Sequence, residues 1–222
     1  MGTVVLDFDS TLVPVESLEV YAGRRLGGDR DLETELREIT RLGMEGRLPF
    51  ATSLARRLAI VAPERAGLAE VGEDLARELS AGATETVAAL AAAGHECWIV
   101  SGAFVEVLRP AARRLGIPED RVLGLRARWD DAGAFAGFAE GPPFHRSKVE
   151  GLRALGPSWP LPRVGVGDGA TDLALLEEGL VDAFVLYVEH QRRESMLRNP
   201  VPTAASMAEL LDRLRELLEG AA

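Results

Sequence analysis

Short runs of apolar residues predict the strands of this chain. The runs are rich in valine and isoleucine and do not alternate with polar residues; they cover residues 3–8, 97–100, 164–166 and 183–188. Continuous apolarity is typical of strands that are buried on both faces, as they are in a parallel sheet. The alternation of such strands with helices favours a parallel α/β architecture with right-handed crossovers.

Helical patterns lie between these runs and in one long insertion. Residues 84–93 are rich in alanine and leucine and are closed by Gly94, and residues 172–178 are closed by Gly179. The stretch from residue 15 to 79 offers no strand, and its amphipathic segments cover residues 16–25, 31–42, 50–59 and 64–79. We therefore predict an α/β fold: a Rossmann-like parallel sheet core of residues 1–14 and 80–222, with a small helical bundle inserted at residues 15–79.

Two local features fall between the second and third apolar runs. Apolar residues alternate from residue 122 to 138 around Asp130, Asp131 and Gly133, a pattern that predicts a β-hairpin. Pro110 falls in what should be one helix, where its missing N–H and its ring predict a kink or a break.

Composition and charge narrow the classes of protein. With 222 residues, 47% hydrophobic and 27% charged, the chain can bury a large core without disulfide bonds or metal ions to stabilise it. Its one cysteine, Cys97, rules out an intramolecular disulfide, so a reducing, cytoplasmic setting is the default expectation. A net charge of -10 argues against non-specific binding of nucleic acid. Neither a signal peptide nor an apolar run of membrane-spanning length is recognisable, so we expect no membrane partner.

Small polar or acidic residues end three of the predicted strands. Asp7 and Asp9 follow the first, Ser101 the second and Asp168 the third. Ligands of open α/β sheets bind at the carboxyl ends of the strands, so these side chains should converge. Asp7 and Asp9 point the same way in extended backbone, and two such carboxylates repel each other unless a cation lies between them. Oxygen ligands with Asp168 nearby favour Mg²⁺, whereas an isolated pair of this kind is commonly a solvated acidic turn.

Two further stretches offer groups for a phosphate. Ser101 and Gly102 place a hydroxyl and backbone amides at the predicted start of a helix, which is a ready anion site, although the same dipeptide also simply caps helices. The glycine-rich turn at residues 165–172 carries Asp168 and Asp172 and lets backbone amides and a metal approach closely. Its alternative interpretation is a tight turn with a capping acid.

Lys148 stands out because it is the only lysine among 25 lysine and arginine residues. Ser147 and Glu150 form a capping-box pattern, which puts Lys148 in the first turn of a helix. A cation there is unfavourable by about 0.3–1 kcal/mol, so an anionic partner should compensate. We expect that partner to be phosphate; the alternative is a solvated surface lysine. Together, the acids, the serine and the lysine are the parts of phosphoryl transfer through an aspartyl-phosphate.

The chain resembles the haloacid dehalogenase-like superfamily of phosphatases in four motifs. They are Asp7-Phe8-Asp9-Ser10-Thr11, Ser101-Gly102, Lys148 and Gly167-Asp168-Gly169-Ala170-Thr171-Asp172. Within the superfamily the chain is most similar to the phosphoserine phosphatases, whose further pattern is matched by Glu16, Met44, Gly46, Phe50 and Arg57. The resemblance covers nearly the whole chain, and it implies that the helical insertion is a cap that shuts the site.

The resemblance also implies a role for each catalytic residue. Asp7 would attack phosphorus, and Asp9 would protonate the leaving oxygen and later deprotonate the hydrolytic water. Mg²⁺ would bind Asp7, the carbonyl of Asp9 and Asp168. Asp172 would lie outside the direct ligands, as a neighbour of the metal site or of Lys148.

For the substrate, the resemblance implies a phosphate site and an amino-acid site. The phosphate oxygens would be held by Ser101, the Gly102 amide and Lys148. The residues around the rest of the substrate would be Glu16, Met44, Phe50, Arg57 and Thr171. Of these, Arg57 can grip a carboxylate with its planar fork and Glu16 can take an ammonium, which fits O-phosphoserine, a small phosphorylated metabolite of serine biosynthesis.

Other functions stay open at this point. The same chemistry could transfer phosphate from phosphoserine to homoserine, or hydrolyse another small phosphomonoester such as a methionine-salvage intermediate. A signalling receiver also uses aspartate, serine or threonine, lysine and Mg²⁺, but receivers are much shorter and carry these residues in a different order. Two departures from the family pattern bear on the substrate: Ala103 stands where a second glycine is usual, and the ending at residues 189–193 is unusual.

Overall fold

A six-stranded parallel sheet forms the centre of the computed structural model, which describes residues 1–220. The strands of the chain are β1 Thr3–Leu6, β2 Glu96–Phe104, β3 Val122–Leu125, β4 Ala127–Trp129, β5 Phe135–Phe138, β6 Arg163–Gly167, β7 Ala183–Tyr187 and β8 Thr203–Ala204. Their order across the large sheet is β3-β2-β1-β6-β7-β8, and β1 is buried along its whole length between β2 and β6. The predicted parallel α/β fold is therefore confirmed.

Helices cover the sheet and fill the insertion. They are α1 Ser17–Arg25, α2 Arg30–Met44, α3 Phe50–Val61, α4 Arg65–Leu75, α5 Ala83–Ala92, α6 Val105–Leu115, α7 Lys148–Leu155, α8 Ala170–Glu177, α9 Glu194–Leu197 and α10 Met207–Glu219. In the part of the chain that is described, α1 to α4 follow one another without an intervening strand. We refer to residues 17–75 as the helical segment. The core that the sequence predicts ends at residue 222, and residues 221 and 222 lie outside the described part.

No helix within residues 1–220 combines the length and the apolar character that a membrane crossing requires.

The hairpin predicted over residues 122–138 is wrong in its first strand. Val122–Leu125 is fully buried and pairs in parallel with β2, so it belongs to the edge of the large sheet. The hairpin is formed by β4 and β5 alone, which are only partly buried. The difference has a physical reason: the run at 122–125 is continuously apolar, as a strand covered on both faces must be.

Pro110 does not break its helix. α6 runs from Val105 to Leu115 with Pro110 inside it, contrary to the expected break. A proline cannot donate to the carbonyl four residues earlier, which here belongs to Glu106. That carbonyl faces α4, where a Cβ added to Gly72 would lie 2.8 Å from Glu106 O and 2.9 Å from Val107 Cα. The helical segment therefore packs closely on α6 at the point where the hydrogen bond from residue 110 is missing. This packing supports the helix there.

Ser101 and Gly102 also sit differently from the prediction. Both lie within β2, and α6 begins only at Val105 with Phe104 as its N-cap. Their hydroxyl and amide groups therefore come from the end of a strand rather than from the first turn of a helix. They still lie at the carboxyl end of the sheet, beside the end of β1.

We expect Gly72→Ala to destabilise the protein by about 1–3 kcal/mol, because its methyl group would press on the backbone of α6. Gly23→Ala is the matched control, since Gly23 lies inside α1 with no atom near its Cβ position, and alanine is the better helix former by about 1 kcal/mol. Thermal or urea unfolding of both variants measures the effect. A Gly72→Ala protein as stable as Gly23→Ala would contradict the close packing of α4 on α6.

Candidate active site

The carboxyl ends of β1, β2 and β6 meet at one cavity. Asp7 directly follows β1, Asp168 directly follows β6, and Ser101 lies near the end of β2. The cavity is lined by Asp7, Asp9, Glu16, Met44, Phe50, Arg57, Ser101, Gly102, Lys148 and Thr171. Asp168 and Asp172 are buried next to it. The structure thus brings every residue of the predicted site together from the core and the helical segment.

Lys148 is 4% exposed, so its interpretation as a solvated surface lysine is wrong. Ser147 caps α7 by accepting from the Glu150 N–H, which places Lys148 at the first position of the helix, as predicted. Lys148 Nζ donates to Asp172, and it forms an ion pair at 2.6 Å with Asp7 Oδ1. Burial alone would lower the pKa of Lys148, but Asp172 and Asp7 outweigh it and raise that pKa. In the structure, the anions that compensate the buried ammonium are therefore two carboxylates.

Three buried carboxylates lie close together, and two of them, Asp7 and Asp172, pair with Lys148. Oxygens of Asp7, Asp168 and Asp172 lie within 4.8 Å of one another. Burial and the neighbouring Asp7 raise the pKa of Asp172 to about 7, against the opposing effect of Lys148. The pKa of Asp168 is also raised well above its ordinary value, first by burial and then by Glu16. The three acids of the cluster outnumber the positively charged groups that pair with them.

This cluster fits a divalent cation. Asp168 Oδ1 is buried and has no hydrogen-bond donor among residues 1–220, and Asp7 Oδ1, which is also buried, has the Lys148 ammonium on one side. Carboxylate oxygens are the donors that hard cations such as Mg²⁺ prefer, and a cation bound there would relieve the repulsion among the acids of the cluster. The side chains of Asp7 and Asp168 could therefore hold a divalent metal.

The carboxylate of Asp9 is held by Ser17 and is not part of this cluster. Its Oδ1 accepts from the Ser17 N–H at 3.1 Å and its Oδ2 from the Ser17 hydroxyl at 2.9 Å, at the start of α1. Burial, followed by Glu16 and Asp7, raises the pKa of Asp9 well above its ordinary value, while both bonds from Ser17 oppose that rise. A carboxyl group with a raised pKa next to a second carboxylate is suited to give and take a proton. No pattern in the sequence pointed to Ser17.

Arg57 supplies a positive group to the same cavity, and its side chain is partly buried. Its Nε is buried without a hydrogen-bond partner among residues 1–220. Burial lowers the pKa of Arg57, and Glu16, Asp9 and Glu19 offset only part of this effect. A buried guanidinium is stable only with an anionic partner, so the cavity calls for an anion at this wall.

Two side chains of the helical segment rest on glycines of the core. A Cβ on Gly102 would lie 2.9 Å from the ring of Phe50, and one on Gly169 would lie 2.6 Å from Met44 Cε. The missing side chains therefore let Phe50 and Met44 cover the ends of β2 and β6. Thr171, in the first turn of α8, completes the wall below them.

Arg193 also belongs to the site, and it lies in the unusual ending at residues 189–193. It lies in the loop after β7, and its Nη2 donates to Asp168 Oδ2 at 2.7 Å. The same nitrogen lies 3.8 Å from Glu16 Oε1. Arg193 thereby connects the carboxylate cluster with the wall that carries Glu16. A basic residue in an atypical segment was the only signal for it in the sequence.

The comparison with family models matches residues 4–177 to a family described as haloacid dehalogenase-like hydrolase. A chloroplastic phosphoserine phosphatase of Arabidopsis thaliana is 30% identical over 199 residues, which cover 88% of this chain and 66% of the plant protein. The phosphoserine phosphatase of Homo sapiens is 28% identical over 216 residues, or 96% of this chain and 93% of the human protein. Phosphoserine phosphatase SerB2 of Mycobacterium tuberculosis is 37% identical over 180 residues, or 78% of this chain and 41% of that protein.

Solved structures have the same fold. A phosphoserine phosphohydrolase-like protein from Francisella tularensis superposes with a TM-score of 0.93 at 32% identity, covering 96% of this chain and 100% of its own. A substrate-bound phosphoserine phosphatase complex superposes with a TM-score of 0.72 over 96% of this chain and 97% of its own. At 24% identity the second similarity bears on the fold alone.

The protein without metal should lose stability as the pH rises from about 4 to about 7. Asp9, Asp168 and Asp172 hold protons in the folded state that aspartates of the unfolded chain release near pH 3.9, so folding binds protons across this window. Each such group lowers the free energy of unfolding by up to roughly 1.4 kcal/mol per pH unit between its two pKa values. Thermal unfolding in chelator at pH 5 and pH 7 measures the decline.

Added divalent cation should restore more stability at pH 7 than at pH 5, because the carboxylates are then charged. Asp168→Asn should flatten the decline, whereas the exposed Asp131→Asn should leave it as it is. A midpoint temperature that rises between pH 5 and pH 7 in chelator would refute the strained acidic cluster.

Proposed function

We propose that this chain, which belongs to the haloacid dehalogenase-like hydrolase family, hydrolyses O-phosphoserine to serine and phosphate. The observation that carries the choice of substrate is the Nε of Arg57, which is buried without a hydrogen-bond partner among residues 1–220, in a side chain that lines the same cavity as Asp7 and Glu16. A substrate with a phosphate, an ammonium and a carboxylate has one group for each of Asp7, Glu16 and Arg57. The names of the relatives in Arabidopsis, human and Mycobacterium support the same substrate.

In the first step, a carboxylate oxygen of Asp7 attacks phosphorus and the bond from phosphorus to the serine oxygen breaks. Asp9 gives its proton to that oxygen, so serine leaves as the neutral alcohol and the phosphoryl group stays on Asp7. The raised pKa of Asp9 supports this role, because the acid is protonated when the substrate arrives. Ser17 binds both oxygens of Asp9 and so fixes the orientation of the carboxyl group that gives the proton.

In the second step, Asp9, now ionised, takes a proton from a water molecule as the water attacks the same phosphorus. The bond between phosphorus and Asp7 breaks, phosphate leaves, and both acids return to their starting state. Water must be excluded until serine has gone. Met44 and Phe50, which cover the strand ends, are placed to do this.

The phosphate itself would be held by Ser101, the Gly102 amide and Lys148, which line the cavity beside Asp7. Lys148 already neutralises Asp7, and its charge would stabilise the negative charge that moves onto the phosphate oxygens. Mg²⁺, held by the carboxylates of Asp7 and Asp168 and the carbonyl of Asp9, would add positive charge at the same oxygens.

The helical segment would act as a cap in this mechanism. We propose that residues 15–79 form the cap and residues 1–14 and 80–222 the core domain. Support comes from the close packing of Gly72 on α6, which fixes one side of the cap, and from Met44 and Phe50, which close the other side over the site.

Arg57→Gln should remove the preference for a substrate carboxylate. We expect the native protein to prefer O-phosphoserine to O-phosphoethanolamine, which lacks only the carboxylate, by on the order of 100-fold in kcat/KM, because a charged hydrogen-bonded pair is lost. In Arg57→Gln this ratio should fall to about tenfold or less, because kcat/KM for phosphoserine falls. Arg56→Gln, an exposed neighbour on α3, is the control and should keep the native ratio.

Steady-state assays of both substrates decide the matter. A native protein that hydrolyses the two substrates equally well would eliminate phosphoserine as the substrate, and a phosphoserine preference that survives in Arg57→Gln would remove Arg57 from the carboxylate site.

Asp7→Asn should abolish turnover, because an amide cannot form the phosphoryl ester. Native protein quenched in acid during turnover should carry one alkali-labile phosphate, and Asp7→Asn should carry none. The thermal unfolding of the variant shows whether its fold is intact. Residual hydrolysis near the native rate, or labelling of Asp7→Asn, would rule out Asp7 as the nucleophile.

A further inference from the structure

Ser10 has a backbone conformation that its residue type disfavours. Its φ is 54°, in the left-handed region that glycine adopts readily and other residues rarely do. Only one other non-glycine residue of the described part, Ala62, has a positive φ, and it closes the C-terminus of α3, where this conformation is common. Ser10 closes no helix, so another interaction must hold it there.

The side chain of Ser10 supplies that interaction. Ser10 is fully buried, and its Oγ donates to Glu16 Oε1 at 2.8 Å. The Ser10 N–H donates to the carbonyl of Val15, and Ser17 binds Asp9 just outside this pair. The turn from residue 9 to 17 is thus closed by nested bonds, and the one from Ser10 is the only one that reaches the Glu16 carboxylate. A glycine would suit the backbone and would lose this bond.

Glu16 needs to be held, because a competing partner lies close to it. Arg193 Nη2 is 3.8 Å from Glu16 Oε1, which is near enough for attraction and too far for a hydrogen bond. A small rotation of an unrestrained carboxylate would complete the ion pair with Arg193 and turn Glu16 away from the substrate. The Ser10 hydroxyl holds the same oxygen and prevents that rotation.

We propose that Ser10 is a positioning residue for substrate recognition: it holds Glu16 in the orientation that receives the ammonium of the substrate. Ser10 does not line the cavity, so it acts through Glu16 and not by contact. The proposal rests on the proposed function, in which Glu16 binds that ammonium. It also explains why a serine occupies a position whose backbone favours glycine.

The test compares O-phosphoserine with 3-phosphoglycerate, in which a hydroxyl replaces the ammonium. Ser10→Gly and Ser10→Ala both delete the hydroxyl, but only the glycine relieves the backbone. We expect both variants to lose about tenfold or more of the native preference for phosphoserine, mainly through a higher KM, with 3-phosphoglycerate changed by less than about twofold. Ser10→Gly should unfold at a higher temperature than Ser10→Ala.

Ser53→Ala is the matched control. Ser53 is an equally buried serine whose hydroxyl donates to the carbonyl of Ile39 within the helical segment, so its removal should keep the native preference. A loss of preference in Ser10→Ala alone, following its lower stability, would overturn the proposal, since positioning predicts the same loss in Ser10→Gly.

Glu16→Gln separates this proposal from the one on which it rests. If Glu16→Gln keeps the native preference, the assignment of Glu16 to the ammonium is wrong. If Glu16→Gln loses the preference while Ser10→Gly keeps it, the substrate assignment stands and the role of Ser10 is refuted. Adding Ser10→Gly to Glu16→Gln should cause no further loss; a second loss of equal size would show that Ser10 acts independently of Glu16.

Discussion

Mutual repulsion among buried acids is the constraint on which this site depends. Five acids meet at the ends of the central strands with three cations around them: Asp7, Asp9, Glu16, Asp168 and Asp172 face Lys148, Arg57 and Arg193. Burial, and after it this excess of negative charge, raises the pKa values of Asp9, Asp168 and Asp172. Such an arrangement costs stability, and it is useful only where a cation and a phosphate are expected to enter. The chain is a phosphomonoester hydrolase, and its strained acids suit that chemistry.

The fold and the centre of the site could be predicted because their signals are local. Continuous apolar runs predict strands covered on both faces, and the carboxyl ends of parallel strands must meet, so the convergence of Asp7, Ser101 and Asp168 followed from the pattern. The place of Lys148 followed from the cap formed by Ser147 and from its being the only lysine. The structure brings these residues to one cavity, with Asp168 buried next to it.

Features that arise from contacts between distant elements could not be predicted. α6 continues through Pro110 where it packs closely against Gly72, which lies in another helix. The approach of Arg193 to Asp168 and Glu16 depends on the path of a loop that has no regular pattern. The left-handed backbone of Ser10 is invisible in its residue type, since a preference for φ would have predicted glycine there. In each case tertiary geometry decides against a local preference.

The burial of Lys148 gives the molecule a chemical reporter of its own. Because the chain has no other lysine and this one is buried at the cavity that Met44 and Phe50 also line, amine-directed acylating reagents can reach a lysine side chain only while that burial is lost. The raised pKa of Lys148 slows that reaction further, since only the neutral amine is nucleophilic. The rate at which the native protein is acylated at this position therefore measures how often Lys148 becomes exposed, without any engineered label.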